Sequence, residues 1–290
     1  MGKTQFNVPV IPANMKAVIN TNIARWMSAS GYFYIMHRFG HSIIDFIRLA
    51  NVEDWQTISI SVGVQEHDEK IIEMISEIDT LHVDYITIDI AHGHSERMQT
   101  MIRFIKDKLP HVYLIAGNVA SSDGVYDLSC WGADMVKVGI GQGSVCTTKD
   151  KTGFTVPMFT CIQTCTGVIN GGKPVPIIAD GGIRSNGDIA KALCAGADMI
   201  MSGSMFSQCT DSAAANVVVD DQIYKQYFGS ASSHNKGHRK HIEGVMKAVP
   251  SNNMTYHEKL KEIQEDLQSA ISYAGGASLQ SLRDVEYVEV

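Results

Sequence analysis

The sequence lacks an apolar run long enough to cross a bilayer, because its longest apolar stretches fall far short of the roughly 20 residues that a membrane helix needs. Its first residues, 1–6, also lack the apolar core of a signal peptide. Lysine and arginine form no basic run, and the formal net charge is -7, which argues against a nucleic-acid partner. These absences predict a cytoplasmic protein that binds neither membranes nor nucleic acid.

Motifs built on cysteine or glycine are also missing. The six cysteines contain no Cys-x-x-Cys pair and no zinc-finger spacing, so reduced thiols are the natural interpretation. No Gly-x-Gly-x-x-Gly sequence follows a predicted strand. A nicotinamide cofactor would therefore have to bind outside a Rossmann frame.

What the chain does contain is a regular alternation of short β-branched runs with helical patterns. The runs predict eight strands, at 8–13, 32–37, 57–63, 85–91, 112–119, 135–141, 175–182 and 199–206. A last amphipathic helix carries Leu260, Ile263, Leu267 and Ile271. Apolar strands joined by helices predict a buried parallel sheet. Eight such units in one domain, residues 1–290, predict a (β/α)8 TIM barrel of the α/β class, with a doubly wound open sheet as the main alternative.

One connection, residues 207–250, is much longer than the others and is rich in Gly, Ser, His and Lys. Loops of this length are usually functional or disordered. The loop after the eighth strand of a barrel emerges at the catalytic face. We therefore expect residues 207–250 to form a mobile active-site flap.

Glycine-rich turns follow the last two predicted strands, at 181–182 and at 203–204. Loops at these two places in a barrel commonly bind phosphate through backbone N–H groups. The alternative is that the glycines only make tight turns. Their coincidence after both strands favours a phosphate site.

The loop after the sixth strand contains alternating glycines, Gly139, Gly141 and Gly143, followed by Cys146. Such a loop can turn its carbonyl and amide groups inward around a cation or a phosphate. A cysteine in this position is typical of a nucleophile, whereas the other five cysteines lie in helical patterns and are interpreted as core residues. Thr148, two residues further on, could relay a proton at the same centre.

Two more polar residues end predicted strands. Asp89 ends the fourth strand and Asn118 the fifth. Asp89 could anchor a sugar hydroxyl, polarise a base or cap the next helix, and the sequence leaves these roles open. His92 and His94 alternate like zinc ligands, but no third ligand of matching context is evident, which makes a metal-dependent hydrolase a minor alternative.

Four segments together resemble the IMP dehydrogenase/GMP reductase family. Residues 138–148 read VGIGQGSVCTT, which is similar to its active-site loop, and residues 178–183, IADGGI, are similar to its ribose-phosphate segment. Residues 10–15, VIPANM, resemble its first strand, and residues 227–232, YFGSAS, resemble its segment leading into the flap. The resemblance covers nearly the whole chain and also implies a TIM barrel.

Two features favour one branch of this family. IMP dehydrogenases typically carry a regulatory insertion after the second barrel unit, for which there is no room between Arg38 and the third strand. They also carry an Arg-Tyr pair in the flap, which residues 234–244 lack. The flap ends in Glu243-Gly244, as in GMP reductases. The chain most resembles the bacterial GMP reductase branch.

The resemblance implies that GMP and NADPH are converted to IMP, NADP⁺ and ammonia. It implies catalytic roles for Cys146, Thr148 and Glu243. It implies that the substrate is bound by Ser144, Asp180, Gly182, Ile183, Gly203, Ser204, Gly229 and Ser230. Cofactor contacts are expected at Asp89, Asn118 and Lys240. A potassium ion is expected at the carbonyls of Gly141, Gly143 and Cys146, and the assembly is expected to be a homotetramer.

Some residues depart from the family pattern. Thr155 and Met158 replace the Gly and Gln common in the loop after Cys146, and Lys149 stands where many members have Arg. Two alternatives remain at this point. One is an IMP dehydrogenase without its insertion, and the other is a purine-nucleotide-binding barrel without catalytic activity.

Overall fold

The computed structural model describes residues 1–2, 4–238 and 240–287. In chain order the strands are β1 (Val10–Pro12), β2 (Ser59–Val62), β3 (Tyr85–Asp89), β4 (Tyr113–Val119), β5 (Met135–Val138), β6 (Ile169–Asn170), β7 (Lys173–Pro174), β8 (Ile177–Asp180), β9 (Met199–Ser202), β10 (Asn216–Val219), β11 (Gln222–Phe228) and β12 (Met246–Pro250). The helices are α1 (Thr21–Ala29), α2 (Ile43–Val52), α3 (Glu66–Glu77), α4 (Glu96–Lys108), α5 (Ser122–Trp131), α6 (Thr148–Thr152), α7 (Met158–Cys165), α8 (Asn186–Cys194), α9 (Ser204–Ser207), α10 (Ser233–Lys236) and α11 (Tyr256–Tyr273). A 3-10 helix (Leu279–Asp284) follows.

Seven parallel strands form the barrel wall in the order β1-β9-β8-β5-β4-β3-β2. Residues 31–36 close the wall between β2 and the segment just before β1. On the β2 side the Met36 amide donates to the Ser59 carbonyl at 3.1 Å, and on the other side the Asn7 amide donates to the Gly31 carbonyl at 3.0 Å. The wall thus has eight members, with α-helices between strands on its outside. The predicted α/β TIM barrel is confirmed.

Two of the predicted strands need correction. Residues 32–37 form only one bridge, from Met36 to Ile60, and no regular ladder. Side chains hold this segment instead: the Tyr34 hydroxyl donates to the Thr57 carbonyl at 2.8 Å, and the Ser61 hydroxyl donates to the Met36 carbonyl at 2.7 Å. The predicted strand 199–206 ends at Ser202, because the chain then turns into the short helix α9.

In three pairs of adjacent strands, an aspartate just before the amino end of one strand binds the other strand, and we call each of these contacts an aspartate clamp. Each carboxylate accepts a backbone N–H from the adjacent strand segment and also contacts a basic side chain. The Ile58 amide donates to the Asp84 carboxylate at 2.7 Å. In the same way the Leu114 amide donates to Asp134 at 2.7 Å, and the Ile177 amide donates to Asp198 at 2.8 Å. Their basic partners are His82, Lys106 and Arg283, respectively. These clamps set the register of the strands, and so determine which residues meet at the opposite end.

The first residues of the chain close the amino-terminal end of the barrel. The ring of Phe6 lies 5.0 Å from that of Phe33 and 6.1 Å from that of Tyr85, measured between centroids. The Tyr85 hydroxyl donates to the Met1 carbonyl at 3.0 Å. Apolar side chains such as Ile115 fill the interior above these rings. The polar residues are therefore concentrated at the other end.

The long connection after β9 contains more regular structure than the sequence suggested. Strands β10, β11 and β12 form an antiparallel sheet. Its first hairpin turns at Asp220 and Asp221, which both have positive φ values, of 49° and 60°, as a two-residue hairpin turn requires. Lys225 of β11 is buried and donates to the Thr210 carbonyl at 2.7 Å, which ties the sheet to the barrel. The described residues between β11 and β12, 229–238 and 240–245, contribute to the cavity at the carboxyl ends of the barrel strands.

The last helix, α11, matches its predicted pattern. Leu260, Ile263 and Leu267 are buried on one face. A capping box of Thr255 and Glu258 begins the helix. Gly275, with φ of 73°, follows its end. Across the described ranges, no helix is both long and apolar enough to cross a membrane.

Candidate active site

A cavity of about 570 Å³ opens at the carboxyl ends of the barrel strands. This volume lies within the range of roughly 300–1,000 Å³ that is usual for small-molecule sites. The cavity is lined by residues at the carboxyl ends of β1, β3, β4, β5, β8 and β9, by residues 38–39, and by residues 229–231, 235–236 and 243 of the long connection. Every residue named from the sequence as a site residue lines it, except Lys240.

A cysteine, a threonine and a glutamate form a hydrogen-bonded chain at one side of this cavity. The distance from Cys146 Sγ to Thr148 Oγ1 is 3.2 Å. Thr148 Oγ1 donates to Glu243 Oε2 at 2.6 Å. The glutamate comes from a segment 95 residues away in sequence from the threonine. The three groups can pass a proton between the carboxylate and an atom bound near the sulfur.

Backbone pairing holds the cysteine loop against the segment that carries Glu243. The Thr147 amide donates to the Glu243 carbonyl at 2.9 Å, and the Val245 amide donates to the Val145 carbonyl at 2.9 Å. Within the loop, the Cys146 amide donates to the Gly143 carbonyl at 3.0 Å. The position of the thiol therefore depends on residues 243–245 as well as on its own loop.

A buried lysine joins two carboxylates on the floor of the cavity. Lys137 Nζ lies 2.8 Å from Asp89 Oδ1 and 2.6 Å from Asp180 Oδ2, and its side chain is 3% exposed. Asn14 donates to Asp89 Oδ2 at 3.0 Å, and Asn118 donates to Asp180 Oδ2 at 3.0 Å. The floor is therefore a connected polar network, which fixes the direction of every carboxylate oxygen that it engages.

The charges of this network stabilise one another. Burial alone would raise the pKa of Asp89, but the charge and hydrogen bond of Lys137, helped by Arg38 and Asn14, hold that pKa below its ordinary value of 3.8. Burial alone would lower the pKa of Lys137, but Asp180 and Asp89 raise it above its ordinary value of 10.5. The Asp89 carboxylate and the Lys137 ammonium group are thus charged at neutral pH.

Sequence reasoning missed Lys137, although a signal was present. It is the one charged residue in the run Met135–Val138, which otherwise consists of buried apolar side chains. A lysine in the middle of a buried strand needs a counter-charge. The sequence does not show which carboxylates supply it, because Asp89 and Asp180 lie on other strands.

The glycine turns after β8 and β9 form a small cradle next to Ser144. The hydroxyls of Ser202 and Ser204 both donate to the Ile183 carbonyl, at 3.2 and 3.4 Å, which joins the two turns. Gly203 has no room for a side chain, because a Cβ there would lie 2.3 Å from the Tyr227 hydroxyl. These turns leave space and backbone amides for an anionic group.

Tyr227 is a second residue that sequence reasoning did not select. It follows half-buried Gln226 in β11, its side chain is buried and its hydroxyl lies in the cradle beside Gly203. Burial raises the pKa of Tyr227, and a hydrogen bond with Ser144 opposes that rise. The hydroxyl therefore stays protonated at neutral pH and is a hydrogen-bond donor for the cradle.

Lys240 lies apart from the cavity, on the exposed stretch after α10. Lys236 of α10 lines the cavity instead, and its Nζ also donates to the His241 carbonyl at 2.7 Å. Lysine spacing in a loop does not indicate which side chain turns inward. Lys236 was for this reason indistinguishable from Lys240 in the sequence.

The two histidines after β3 do not form a zinc site. His94 Nε2 pairs with Asp127 Oδ2 at 2.8 Å, which ties the loop to α5, and His92 is exposed. Within the parts of the chain that the structure describes, no three His, Cys, Asp or Glu side chains group together as metal ligands.

The departures Thr155 and Met158 both contact the glycine loop. Thr155 Oγ1 donates to the Ile140 carbonyl at 3.1 Å and accepts from Gln142 Nε2 at 2.7 Å. The terminal methyl of Met158 lies 2.6 Å from where a Cβ on Gly139 would be. Both residues thus hold the loop that leads to Cys146, and neither of them lines the cavity.

The fold and the site together define the class of the protein. It is a (β/α)8 barrel whose cavity, at the carboxyl ends of the strands, combines an anion cradle with a Cys-Thr-Glu chain and a buried carboxylate-lysine network. Within that class, the model of the IMP dehydrogenase/GMP reductase domain matches residues 1–290, and the chain belongs to this family. The resemblance seen in the motifs is confirmed.

Several bacterial relatives share nearly the full chain. A protein named GMP reductase from Leptothrix cholodnii is 47% identical over 289 residues, which cover 99% of this chain and 87% of the relative. GMP reductase from Staphylococcus carnosus is 47% identical over 292 residues, with 100% and 88% covered. GMP reductase from Mesoplasma florum is 45% identical over 291 residues, with 99% and 89% covered.

Proposed function

We propose that this chain is a GMP reductase, which converts GMP, with NADPH as reductant, into IMP, NADP⁺ and ammonia. The observation that carries this proposal is the hydrogen-bonded chain from Cys146 through Thr148 to Glu243 in a cavity of nucleotide size. Full-length similarity to proteins named GMP reductase supports it. The Arg-Tyr pair that the resemblance associates with dehydrogenation is missing from residues 234–244.

The cradle is proposed to hold the 5′-phosphate. Ser144, Gly182, Ile183, Gly203, Ser204, Gly229 and Ser230 all line that side of the cavity. Asp180 is suited to the ribose hydroxyls, since Lys137 and Asn118 both engage its Oδ2 and leave Oδ1 as an acceptor. A nucleotide bound in this way places its base towards Cys146.

The first half of the reaction is a displacement at C2 of the purine. The sulfur of Cys146 forms a bond to C2, and the C2–N bond to the exocyclic amino group breaks. Thr148, backed by the Glu243 carboxyl, delivers the proton with which the amino group leaves as ammonia. The product of this half is a thioimidate on Cys146, which divides one difficult displacement into two easier steps.

The second half needs a hydride, which NADPH supplies when bound. Two buried atoms lining the cavity suit a nicotinamide carboxamide: Asn118 Oδ1, an acceptor, and Arg38 Nε, a donor, have no partner within the described residues. Asp89 lies on the same side and orients Lys137 and Asn14. Cys146 leaves C2 as a thiolate once C2 has been reduced, and IMP is released.

A monovalent cation, potassium, is proposed at the carbonyls of Gly141, Gly143 and Cys146. Neutral backbone oxygens on one tight turn suit a weakly charged, hard cation. Gly141 makes this turn possible with a φ of 78°, where a Cβ would lie 2.8 Å from Thr155 Oγ1. The cation would hold the loop that presents the nucleophile.

Three further features belong to the proposal. Residues 1–290 act as one domain, in which residues 207–250 serve as the active-site flap. The protein works in the cytoplasm as a homotetramer, as the family resemblance implies. Analytical ultracentrifugation at micromolar concentration would reveal a smaller species if the tetramer is wrong.

The first test follows the loss of NADPH absorbance after addition of GMP in potassium buffer. We expect turnover by the wild type and a decrease of at least about 1,000-fold for Cys146→Ala, because the nucleophile is removed. Cys130→Ala is the matched control, since Cys130 is exposed and lies outside the cavity, and it should keep wild-type activity. Formation of NADH from IMP and NAD⁺, or binding of GMP without turnover in either direction, would contradict the proposal.

A further inference from the structure

Two exposed lysines cross the junction between the cysteine loop and the segment that carries Glu243. Lys151 Nζ donates to the Ile242 carbonyl at 2.5 Å, and Lys247 Nζ donates to the Ser144 carbonyl at 2.7 Å. Each lysine therefore belongs to one side of the junction and binds a main-chain oxygen on the other. The two contacts lie at opposite ends of the backbone pairing between residues 144–148 and 242–247.

Lys151 is close to the proton relay, which is the hydrogen-bonded chain of Cys146, Thr148 and Glu243. It lies three residues after Thr148 on α6, so the two side chains project on the same face of one helical turn. The carbonyl that it binds belongs to Ile242, the residue directly before Glu243. One helix thus holds both the carboxylate of Glu243, through Thr148, and the backbone on which that carboxylate is carried.

We propose that Lys151 is a positioning residue that sets Glu243 over Thr148, an inference that rests on the proposed function. Of the described residues 240–242, only Ile242 has a hydrogen bond to the helix that carries Thr148, and this bond comes from Lys151. The Glu243 amide itself donates to the Ala231 carbonyl at 3.2 Å. His241 adopts a positive φ of 51°, which is unfavourable for a non-glycine residue, and the lysine at its carbonyl, Lys236, belongs to the same segment. Lys151 ties this segment to the helix that carries the relay threonine.

The hydrogen bond between Thr148 and Glu243 is short, so it depends on accurate placement of both side chains. Thr148 Oγ1 and Glu243 Oε2 are 2.6 Å apart, which is a short charge-assisted hydrogen bond. A displacement of about 1 Å at a reacting group costs on the order of 100-fold in rate. Lys247 provides the matching contact at the other end, because it holds the carbonyl of Ser144, two residues before Cys146.

Lys149 provides a matched control on the same short helix. Like Lys151 it is exposed, but its side-chain ammonium group makes no hydrogen bond or ion pair with the described residues. We expect Lys151→Met to lower kcat by roughly 10- to 100-fold and to change KM for GMP by less than about threefold, because the relay is misplaced while the nucleotide cradle is intact. Lys149→Met should behave as the wild type, and Lys151→Arg should recover most of kcat.

A second readout needs no turnover. The rate at which iodoacetamide alkylates Cys146, measured by peptide mass spectrometry, reports whether residues 242–245 stay docked on the cysteine loop. We expect faster alkylation in Lys151→Met than in the wild type or Lys149→Met, with an unchanged thermal unfolding midpoint. Equal alkylation in all three proteins, or equal kcat in both methionine variants, would overturn the positioning role.

These outcomes separate the inference from the proposed function. A wild type that does not oxidise NADPH with GMP contradicts the proposed function, and alkylation then decides alone whether Lys151 holds the Glu243 segment. An active wild type whose Lys151→Met variant keeps its kcat refutes the positioning role and leaves the proposed function standing. A fall in kcat that Lys151→Arg does not recover, together with a lowered unfolding midpoint, also refutes it, because the lysine would then act through general stability.

Discussion

Lys137 connects stability and chemistry on the cavity floor. Its ammonium group is nearly inaccessible to water and lies between Asp89 and Asp180. Taking such charges out of water costs several kcal/mol per ion unless each is paired, as these are. The same pairs direct Asp180 towards the proposed ribose site. Lys137 therefore links its own strand, β5, to the ends of β3 and β8, and it also holds Asp180 of the proposed substrate site in place.

We expect Lys137→Met to lower the free energy of unfolding by about 3–5 kcal/mol, because it removes a buried cation from between two carboxylates that are only 20% and 23% exposed. Urea denaturation at pH 7 measures this loss. Lys70→Met is the control, since Lys70 pairs with Glu66 on the exposed surface and should cost less than about 0.5 kcal/mol. A similar cost for both variants would show that the floor network is not strongly coupled.

The pH dependence of stability should change with this substitution. In the wild type the pKa of Asp89 is below 3.8, so its contribution is present above that pH and is lost as the pH falls through the folded value. The pKa of Lys137 is above 10.5, so its contribution is complete below that pH and is lost only at higher values. Without the lysine, burial raises the carboxylate pKa, and the stability deficit of Lys137→Met should be smaller at pH 5 than at pH 7.

At the scale of elements, the aspartate clamps explain why strands of only four residues keep their register. Asp134, for example, comes directly before β5 and binds both the Leu114 amide and the Lys106 ammonium group. The sequence shows an echo of this device, since Gly-Ala-Asp-Met occurs at 132–135 and again at 196–199. The repeat thus marks equivalent places in two barrel units.

Removal of one clamp should destabilise the barrel without touching the cavity. We expect Asp134→Ala to lower the free energy of unfolding by about 1–3 kcal/mol, because the Leu114 amide and the Lys106 ammonium group lose a shared acceptor. Asp107→Ala is the comparison, because the Asp107 side chain is exposed and makes no hydrogen bond or ion pair with the described residues. Thermal denaturation should separate the two variants, and the KM for GMP of Asp134→Ala should stay unchanged.

At the scale of the whole molecule, the barrel is closed at both ends by different means. Phe6 and Met1 cover the amino-terminal end with apolar contacts and a single hydrogen bond. Strand β11, through Tyr227, and the described residues 229–238 and 240–245 cover part of the other end and bring in Glu243. Stability is therefore concentrated at one end and access to the cavity at the other, which is typical of this fold.

The two ends should consequently respond differently to substitution. We expect Phe6→Ala to lower the free energy of unfolding by about 2–4 kcal/mol, since it removes a large ring that packs on Phe33 and Tyr85. Tyr273→Ala, at a side chain that is 95% exposed, should cost less than about 0.5 kcal/mol. The specific activity of folded Phe6→Ala should equal that of the wild type, and a loss of kcat would show that the two ends are coupled.

Much of the architecture could be predicted because its signals are local. Short β-branched apolar runs and helical spacing are short-range patterns, and they correctly located seven wall strands and the last helix. Residues 32–37 were predicted as a strand from the same signal, but their backbone makes only one bridge. Their apolar composition reflects burial, and burial alone does not specify a hydrogen-bonded ladder.

The long connection shows where local patterns cease to be informative. Its three strands were not predicted, since exposed positions such as Gln222 and Ile223 alternate with no clear polarity. The inward side chain of Lys236 could not be distinguished from the outward one of Lys240. The direction of a side chain in a loop depends on contacts with the barrel, which the loop sequence does not encode.

The sequence by itself determined the alternation of strands and helices, the residue types at the ends of the strands and the family to which the chain belongs, because each is a property of neighbouring positions. The tertiary structure alone decided which of these residues meet. Closure of the barrel places Lys137 between two carboxylates from other strands, and folding of the long connection brings Glu243 to Thr148 from 95 residues away. Such contacts depend on strand register and on the path of a long loop, and both are set by packing across the whole molecule.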